Sequence, residues 1–145
     1  MIKDLLDSIA ITKKLYAVSL EPVYKQYGLT KMELDIILFL ANNPGYDSAK
    51  DIIERRLLTK SHVSTTIKSL IEKKYLKSTY LHNNKKTVHL VLLDSSIEIV
   101  KAGQLAQKKF IEAIFKDFTK SDKQIIINSF SKISQNASNA LKEEQ

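Results

Sequence analysis

Hydroxyl, imidazole and lysine side chains recur on one side of the segment between Thr59 and Lys74, whose apolar residues keep helical spacing. Hydroxyls and imidazoles both donate and accept hydrogen bonds, whereas ammonium groups attract anions. A helix face of this kind suits a polyanion that also offers hydrogen-bonding groups. The polar face consists of Lys60, Ser61, His62, Ser64, Thr65 and Lys68.

The positive charge of the chain is concentrated in the same region. The 145 residues include 23 Lys and Arg against 16 Asp and Glu, which gives a formal net charge of +7. Ten of the basic residues but only three of the acidic ones lie between Ser48 and Leu93, and the remaining residues balance. The net charge therefore belongs to the middle third of the chain, as expected for a module that faces a polyanion.

The composition excludes several classes of chemistry. The chain has no Cys, so it holds no disulfide, zinc thiolate or cysteine nucleophile. The sequence shows no Ser/His/acid order, paired carboxylate motif or glycine-rich phosphate loop, so we predict neither enzyme activity nor a cofactor. Acidic residues near the start and the lack of a long apolar run argue against a secretory signal or a membrane span. We therefore expect a cytoplasmic protein.

Two histidines, His82 and His89, flank a predicted turn and raise the question of a metal site. Two imidazoles without Cys or a neighbouring acid in the sequence make a poor ligand set. We predict no metal site and interpret both as strand histidines.

The chain divides into helices around one hairpin. Pro22 should kink or split the first helix near residues 20–21, and Asn83 favours a turn because Asn tolerates positive φ. We place the hairpin turn at residues 83–86. The predicted helices, with their capping residues, are residues 2–27; 31–42 after Thr30; 49–56 after Ser48; 60–74 after Thr59; one from 94–96 to about Phe118; and one capped by Ser121 through about Leu141.

This order predicts a mainly α fold with a small β-hairpin wing, a winged helix-turn-helix. We expect a single chain, 1–145, in which residues 30–93 form the winged-helix lobe. The apolar faces of the terminal helices exceed what so small a lobe covers, and a two-fold homodimer would bury them. Residues 1–28 and 95–145 are therefore predicted to form the α-helical dimerisation region.

The sequence resembles the MarR family of transcription regulators. The resemblance lies in the segment Leu20–Thr30, which ends in Gly-Leu-Thr, in residues 49–53 and 58–76, which look like the family's helix-turn-helix, and in the wing. Two positions depart from the family. Asn84-Lys85-Lys86 stands where the family usually has Asp-x-Arg, and Tyr75 stands where it usually has Gly after the recognition helix.

The resemblance implies a sequence-specific regulator that binds double-stranded DNA, typically a ligand-responsive repressor on a palindromic operator. The polar face of the 60–74 helix would enter the major groove, with Lys85 and Lys86 at the wing. Lys60, Lys68, Lys73 and Lys74 would pair with phosphates. Arg, Asn and Gln are missing from the face, so DNA shape is expected to supply part of the specificity. The alternative is a winged-helix module that binds proteins and not DNA.

Two further interpretations follow from the same comparison. The family often binds small aromatic or lipophilic effectors in a cleft, for which Tyr16, Tyr24, Tyr27 and Phe39 are candidates here; ordinary core packing explains each of them as well. Arg55 and Arg56 either approach phosphate or pair with acidic residues one helical turn away.

Overall fold

The computed structural model describes residues 1–81 and 83–145, in two compact units, Met1–Phe110 and Ile111–Gln145. The fold is mainly helical with one antiparallel hairpin, which confirms the predicted fold class. A short 3-10 turn, Asp94–Ser96, precedes the fifth helix. The elements are α1 (Ile2–Gln26), α2 (Lys31–Asn42), α3 (Ala49–Arg56), α4 (Lys60–Glu72), β1 (Leu76–Leu81), β2 (Asn84–Leu92), α5 (Ile97–Ile114) and α6 (Lys120–Glu143).

Local capping chemistry sets most of the helix starts. Thr30 accepts a hydrogen bond from the Glu33 N–H at 3.1 Å, and Glu33 returns one from the Thr30 N–H at 2.9 Å. Ser48 caps α3 in the same reciprocal way, and Thr59 caps α4. The prediction of Ser121 as the cap of the last helix is wrong. Thr119 caps α6, because only Thr119 has an acid three residues later that completes the reciprocal pair.

The helices depart from the sequence prediction most clearly in α1 and α5, and α4 ends at Glu72, two residues before its predicted end. Helix α1 continues through Pro22 and does not split. Helix α5 ends at Ile114, short of the predicted end at Phe118, and Asp117 adopts a left-handed φ of 65° in the connection to α6. Among the residues described, no helix is both long and apolar enough to cross a bilayer.

The core is built around α2, whose side chains are buried on almost every side. Gly103 of α5 packs against this helix so closely that an added Cβ would lie 2.6 Å from a Leu38 methyl carbon. The core thus fixes the elements that carry the polar face. Its buried apolar residues include Leu20, Val23, Leu34, Ile36, Ile37, Leu38, Phe39, Ile52, Val63, Leu70, Leu76, Leu90 and Ile99.

The hairpin pairs in regular register only at its base. Residues Leu76 to Thr79 of β1 oppose Leu92 to His89 of β2, one for one. The next pair among the described residues is Leu81 with Asn84, so β2 carries extra residues between this pair and His89. The regular ladder therefore ends at the Thr79–His89 pair, and the distal wing extends beyond it.

Candidate nucleic-acid interface

Helix α4 presents the predicted polar face to solvent. Its opposite side is buried through Val63, Thr66, Ile67 and Leu70. Within residues 1–81 and 83–145, no polar-face side chain makes a hydrogen bond or an ion pair, so all are free to bind another molecule. The exposed residues are Lys60, Ser61, His62, Ser64, Thr65 and Lys68.

The wing lysines lie in a strand, which corrects the turn predicted at residues 83–86. Strand β2 begins at Asn84, so Lys85 and Lys86 belong to it and both are exposed. Asn83 has the positive φ expected of it, 62°, and the Asn84 side chain accepts a hydrogen bond from the Lys86 N–H at 3.0 Å. The two ammonium groups are therefore carried by a strand backbone.

Lys73, predicted as a phosphate contact, instead forms an internal ion pair. Its ammonium group lies 3.0 Å from Glu33 Oε1 and 3.2 Å from the Gly28 carbonyl oxygen. Ser69 donates to the other oxygen of Glu33 at 3.1 Å. Burial alone would raise the pKa of Glu33, but the hydrogen bonds from the Thr30 N–H, Lys73 and Ser69 outweigh it and lower the pKa. The pair anchors the end of α4 to the start of α2.

Helix α4 ends without the glycine that the family usually has after its recognition helix. Lys74 adopts the left-handed conformation, with φ of 64°. The Lys74 N–H donates to the Ile71 carbonyl at 3.0 Å, and the Tyr75 N–H donates to the Leu70 carbonyl at 3.0 Å. This is a Schellman motif with Lys at the position that usually holds Gly.

Within the described residues, Arg55 and Arg56 do not pair with the acidic residues one helical turn away, and their approach to phosphate stays a prediction. The Arg55 guanidinium lies over the Tyr46 ring, 3.6 Å from its centroid, and Arg56 lies 4.9 Å from the centroid of Phe39. Both are cation–π contacts. Their acidic neighbours are engaged elsewhere, since Asp51 bonds to Ser48 and Glu54 lies 3.8 Å from the Lys50 ammonium group.

The histidines of the wing do not assemble a metal site in the part of the chain that is described. His82 lies outside the described residues. Nδ1 of His89 lies 2.6 Å from Oδ1 of Asp47, a carboxylate that the sequence separates from it by 42 residues. No group of three metal-ligating side chains occurs among residues 1–81 and 83–145.

A cavity of about 240 Å³ lies in the Met1–Phe110 unit and takes in half of the predicted effector residues. Tyr16 and Phe39 line it, whereas Tyr24 and Tyr27 do not; those two pack against the core. Sequence reasoning missed most of the lining because it comes from separate helices. The remaining lining residues are Met32, Asp35, Ile36, Leu38, Asn42, Asn43, Arg56, Leu58 and Gln107.

The cavity joins apolar surface to a few polar groups. Gln107 donates to the Tyr16 hydroxyl oxygen at 2.8 Å and accepts from the Asn42 side chain at 2.9 Å. Burial raises the pKa of Tyr16, against the effect of this hydrogen bond. Burial also raises the pKa of Asp35, opposed by the charges of Lys31 and Arg56. Such a mixture of apolar walls and convergent polar groups is typical of a small-molecule site.

Comparison with known proteins finds a family that the segment carrying the polar face resembles. Residues 27–79 match the sequence model of the MarR family. This segment, called the MarR segment below, is similar to the MarR family. The MarR match spans α2, α3, α4 and the start of the hairpin, which confirms the resemblance seen in the sequence. A search of curated proteins finds no match.

Solved MarR structures share the fold over nearly the whole chain. A putative MarR family transcriptional regulator from Listeria monocytogenes, solved with a 26-mer DNA, superposes with a TM-score of 0.82 at 18% identity, covering 94% of this chain and 89% of that one. The MarR protein of Peptoclostridium difficile gives 0.77 at 20% identity, with coverage of 97% and 91%. Staphylococcus aureus MarR, solved with salicylate and kanamycin, gives 0.75 at 19%, with 94% and 92%.

Proposed function

We propose that this chain is a sequence-specific DNA-binding transcription regulator. The observation that carries the proposal is the set of exposed, unpaired polar side chains on α4, inside the MarR segment and on the strongly basic part of the chain. Lys60, Ser61, His62, Ser64, Thr65 and Lys68 would contact the major groove and its phosphates, and Lys85 and Lys86 would contact DNA from the wing. The Listeria relative, solved with DNA, supports this assignment. Residues 30–93 would form the DNA-binding lobe of a cytoplasmic protein without a catalytic role.

The functional unit we propose is a homodimer on a palindromic operator. Residues 1–28 and 95–145 would build its interface. Supporting this, α6 buries no residue within the single chain, and the N-terminal part of α1 leaves a row of apolar side chains exposed. A second copy of the same chain would cover both, and two-fold symmetry would match two half-sites about one DNA turn apart.

We infer that the regulator is a repressor released by a small aromatic or lipophilic effector. The cavity lined by Tyr16 and Phe39 has a volume suited to a molecule of this size. It also touches Arg56 and Leu58, at the end of α3 and in the turn before α4. A ligand bound there would act directly on the helix-turn-helix and so shift the population of DNA-competent conformers. Salicylate in the Staphylococcus relative supports this class of ligand.

The test is the salt dependence of DNA binding. The wild-type dimer and the Lys85→Ala/Lys86→Ala variant are titrated with DNA from the protein's own upstream region at several salt concentrations. Each lost phosphate contact lowers the slope of log K against log salt by about 0.9, so the variant loses about 3 to 4 if all four lysines of a dimer engage. A charge control, Lys116→Ala/Lys120→Ala, removes two exposed lysines around the connection between α5 and α6, and sedimentation velocity checks that it dimerises like the wild type. Absence of salt-sensitive binding by the wild type would favour the protein–protein module instead.

A further inference from the structure

Strand β2 is fastened to the connection between α2 and α3 at its base. The Leu90 N–H donates to the Asp47 carbonyl oxygen at 2.8 Å, and Ser48 forms an isolated antiparallel bridge with His89. The side chains add a third link, since Nδ1 of His89 lies 2.6 Å from Oδ1 of Asp47. The wing is thereby joined to a segment that belongs to neither of its strands.

The anchoring point is the start of the helix-turn-helix. Asp47 directly precedes Ser48, which caps α3. Ser48 accepts from the Asp51 N–H at 3.1 Å, and the Asp51 carboxylate accepts from the Ser48 N–H and hydroxyl at 3.1 and 2.8 Å. These bonds fix the backbone beside Asp47. Any displacement of β2 at His89 would have to displace this capped turn or break the link.

His89 also lies where the regular pairing of the hairpin ends. The regular ladder ends at its pair with Thr79, and Lys86 lies three residues further toward the tip. Beyond this point the cross-strand pairing is irregular, so the ladder alone gives the tip little support. The direction in which the distal strand leaves His89 therefore sets where Lys85 and Lys86 are presented.

We propose that Asp47 and His89 form a brace that positions the wing relative to the helix-turn-helix for DNA binding. This inference rests on the proposed function. The side chain of His89 is 17% exposed and that of Asp47 is 42% exposed, so one partner is largely withdrawn from water and the other remains hydrated. A hydrogen bond from a ring N–H to a carboxylate is stronger than a neutral one and directional, as a brace requires. Both are positioning residues that act through Lys85 and Lys86.

The experiment compares two substitutions of His89. His89→Phe keeps a ring but removes the donor, whereas His89→Asn places an amide N–H close to the former position of Nδ1. We expect His89→Phe to weaken DNA binding about 10-fold, about 1.4 kcal/mol, and to lower the salt slope as wing contacts are lost. His89→Asn should restore most of both. Equal loss in the two variants, or no loss in either, would overturn the brace.

A double-mutant cycle separates positioning from general stability. If the brace acts through the wing lysines, His89→Phe should cost little more once Lys85→Ala/Lys86→Ala is present, because the same contacts are already lost. Its effect should add fully to that of Lys68→Ala on α4. Additivity with both would contradict the proposal, because it would mean that His89 acts independently of the wing.

A readout without DNA keeps this inference distinct from the proposed function. Should the wild type fail to bind DNA, the proposed function falls, and amide hydrogen exchange of residues 85–88 then tests the brace itself. Exchange should be faster in His89→Phe than in wild type and near wild type in His89→Asn. Unchanged exchange in His89→Phe would overturn the brace whatever the protein binds.

Discussion

The MarR segment and helix α6 use apolar residues in opposite ways. In the segment, most apolar side chains of α2, α3 and α4 are buried or half-buried within the chain, and the exposed polar side chains include those proposed to contact DNA. Helix α6 buries nothing within the chain, and Ile125, Phe130 and Ile133 are 61%, 60% and 55% exposed. The helices of the MarR segment cover one another's apolar faces, whereas the apolar face of the long amphipathic helix α6 stays exposed, as the proposed dimer would explain.

The sharpest way to break this comparison is to charge the apolar face of α6. We expect Phe130→Glu/Ile133→Glu to weaken dimerisation by more than about 100-fold. Each substitution occurs in both copies of a two-fold dimer, so the interface would bury four carboxylates that have no partner. Sedimentation velocity over a range of concentrations measures this.

The control for that variant is Asn128→Glu/Ser131→Glu. It places the same charges, three residues apart, on the opposite face of α6, where we expect dimerisation to stay as in wild type. A dimer unaffected by the first substitution would mean that this apolar face is not the interface.

Within the MarR segment, the internal ion pair should carry the largest stability effect. Glu33→Gln removes the negative charge that Lys73 and Ser69 contact. We expect it to lower the free energy of unfolding by about 2 kcal/mol. Urea denaturation measures it, with the exposed Glu72→Gln on α4 as the control. Since the pKa of Glu33 is lowered on folding, its contribution is present above the ordinary value of 4.5 and is lost as the pH falls, so the variant should lose less stability in acid.

A smaller gain is expected at the end of α4. Lys74 has a left-handed φ of 64°, so Lys74→Gly should raise the unfolding free energy by up to about 1 kcal/mol. Thermal unfolding detects such a gain. Lys77→Gly, in the extended strand β1, should destabilise instead. If both substitutions lowered stability alike, the left-handed conformation would not be a source of strain.

The smallest effect concerns Asp35 in the cavity. Burial raises the pKa of this carboxyl above its ordinary 3.8, so the ionised form disfavours the folded state at neutral pH. We expect Asp35→Asn to be more stable than wild type at pH 7. The difference should vanish as the pH falls below the ordinary value, because the Asp35 carboxyl is then protonated in the folded and the unfolded wild type alike. Urea denaturation at pH 7 and at acidic pH checks this sign. A difference that grows in acid would contradict it.

Sequence reasoning succeeded where structure depends on near neighbours. The cap at Thr30 was predicted because Glu33 lies three residues ahead, Ser48 was predicted as the cap of the next helix, and the polar face of α4 follows from helical spacing. It failed for contacts made across the chain. Nothing local marks Lys73 as the partner of Glu33, 40 residues earlier, or Asp47 as the partner of His89. The cavity was half predicted for the same reason: aromatic type indicated Tyr16 and Phe39, whereas Asp35 and Gln107 join them only through packing.

Pro22 gives α1 a mechanical property that its length alone would not. Proline has no N–H, so the carbonyl of Val18, four residues earlier, receives no helical hydrogen bond at this point. Leu20 and Val23, beside this missing hydrogen bond, are buried in the core, whereas the first four turns of the helix are mostly exposed. We expect α1 to bend most easily at Pro22. Its exposed N-terminal segment can then adjust to a neighbouring surface while Leu20 and Val23 stay fixed in the core.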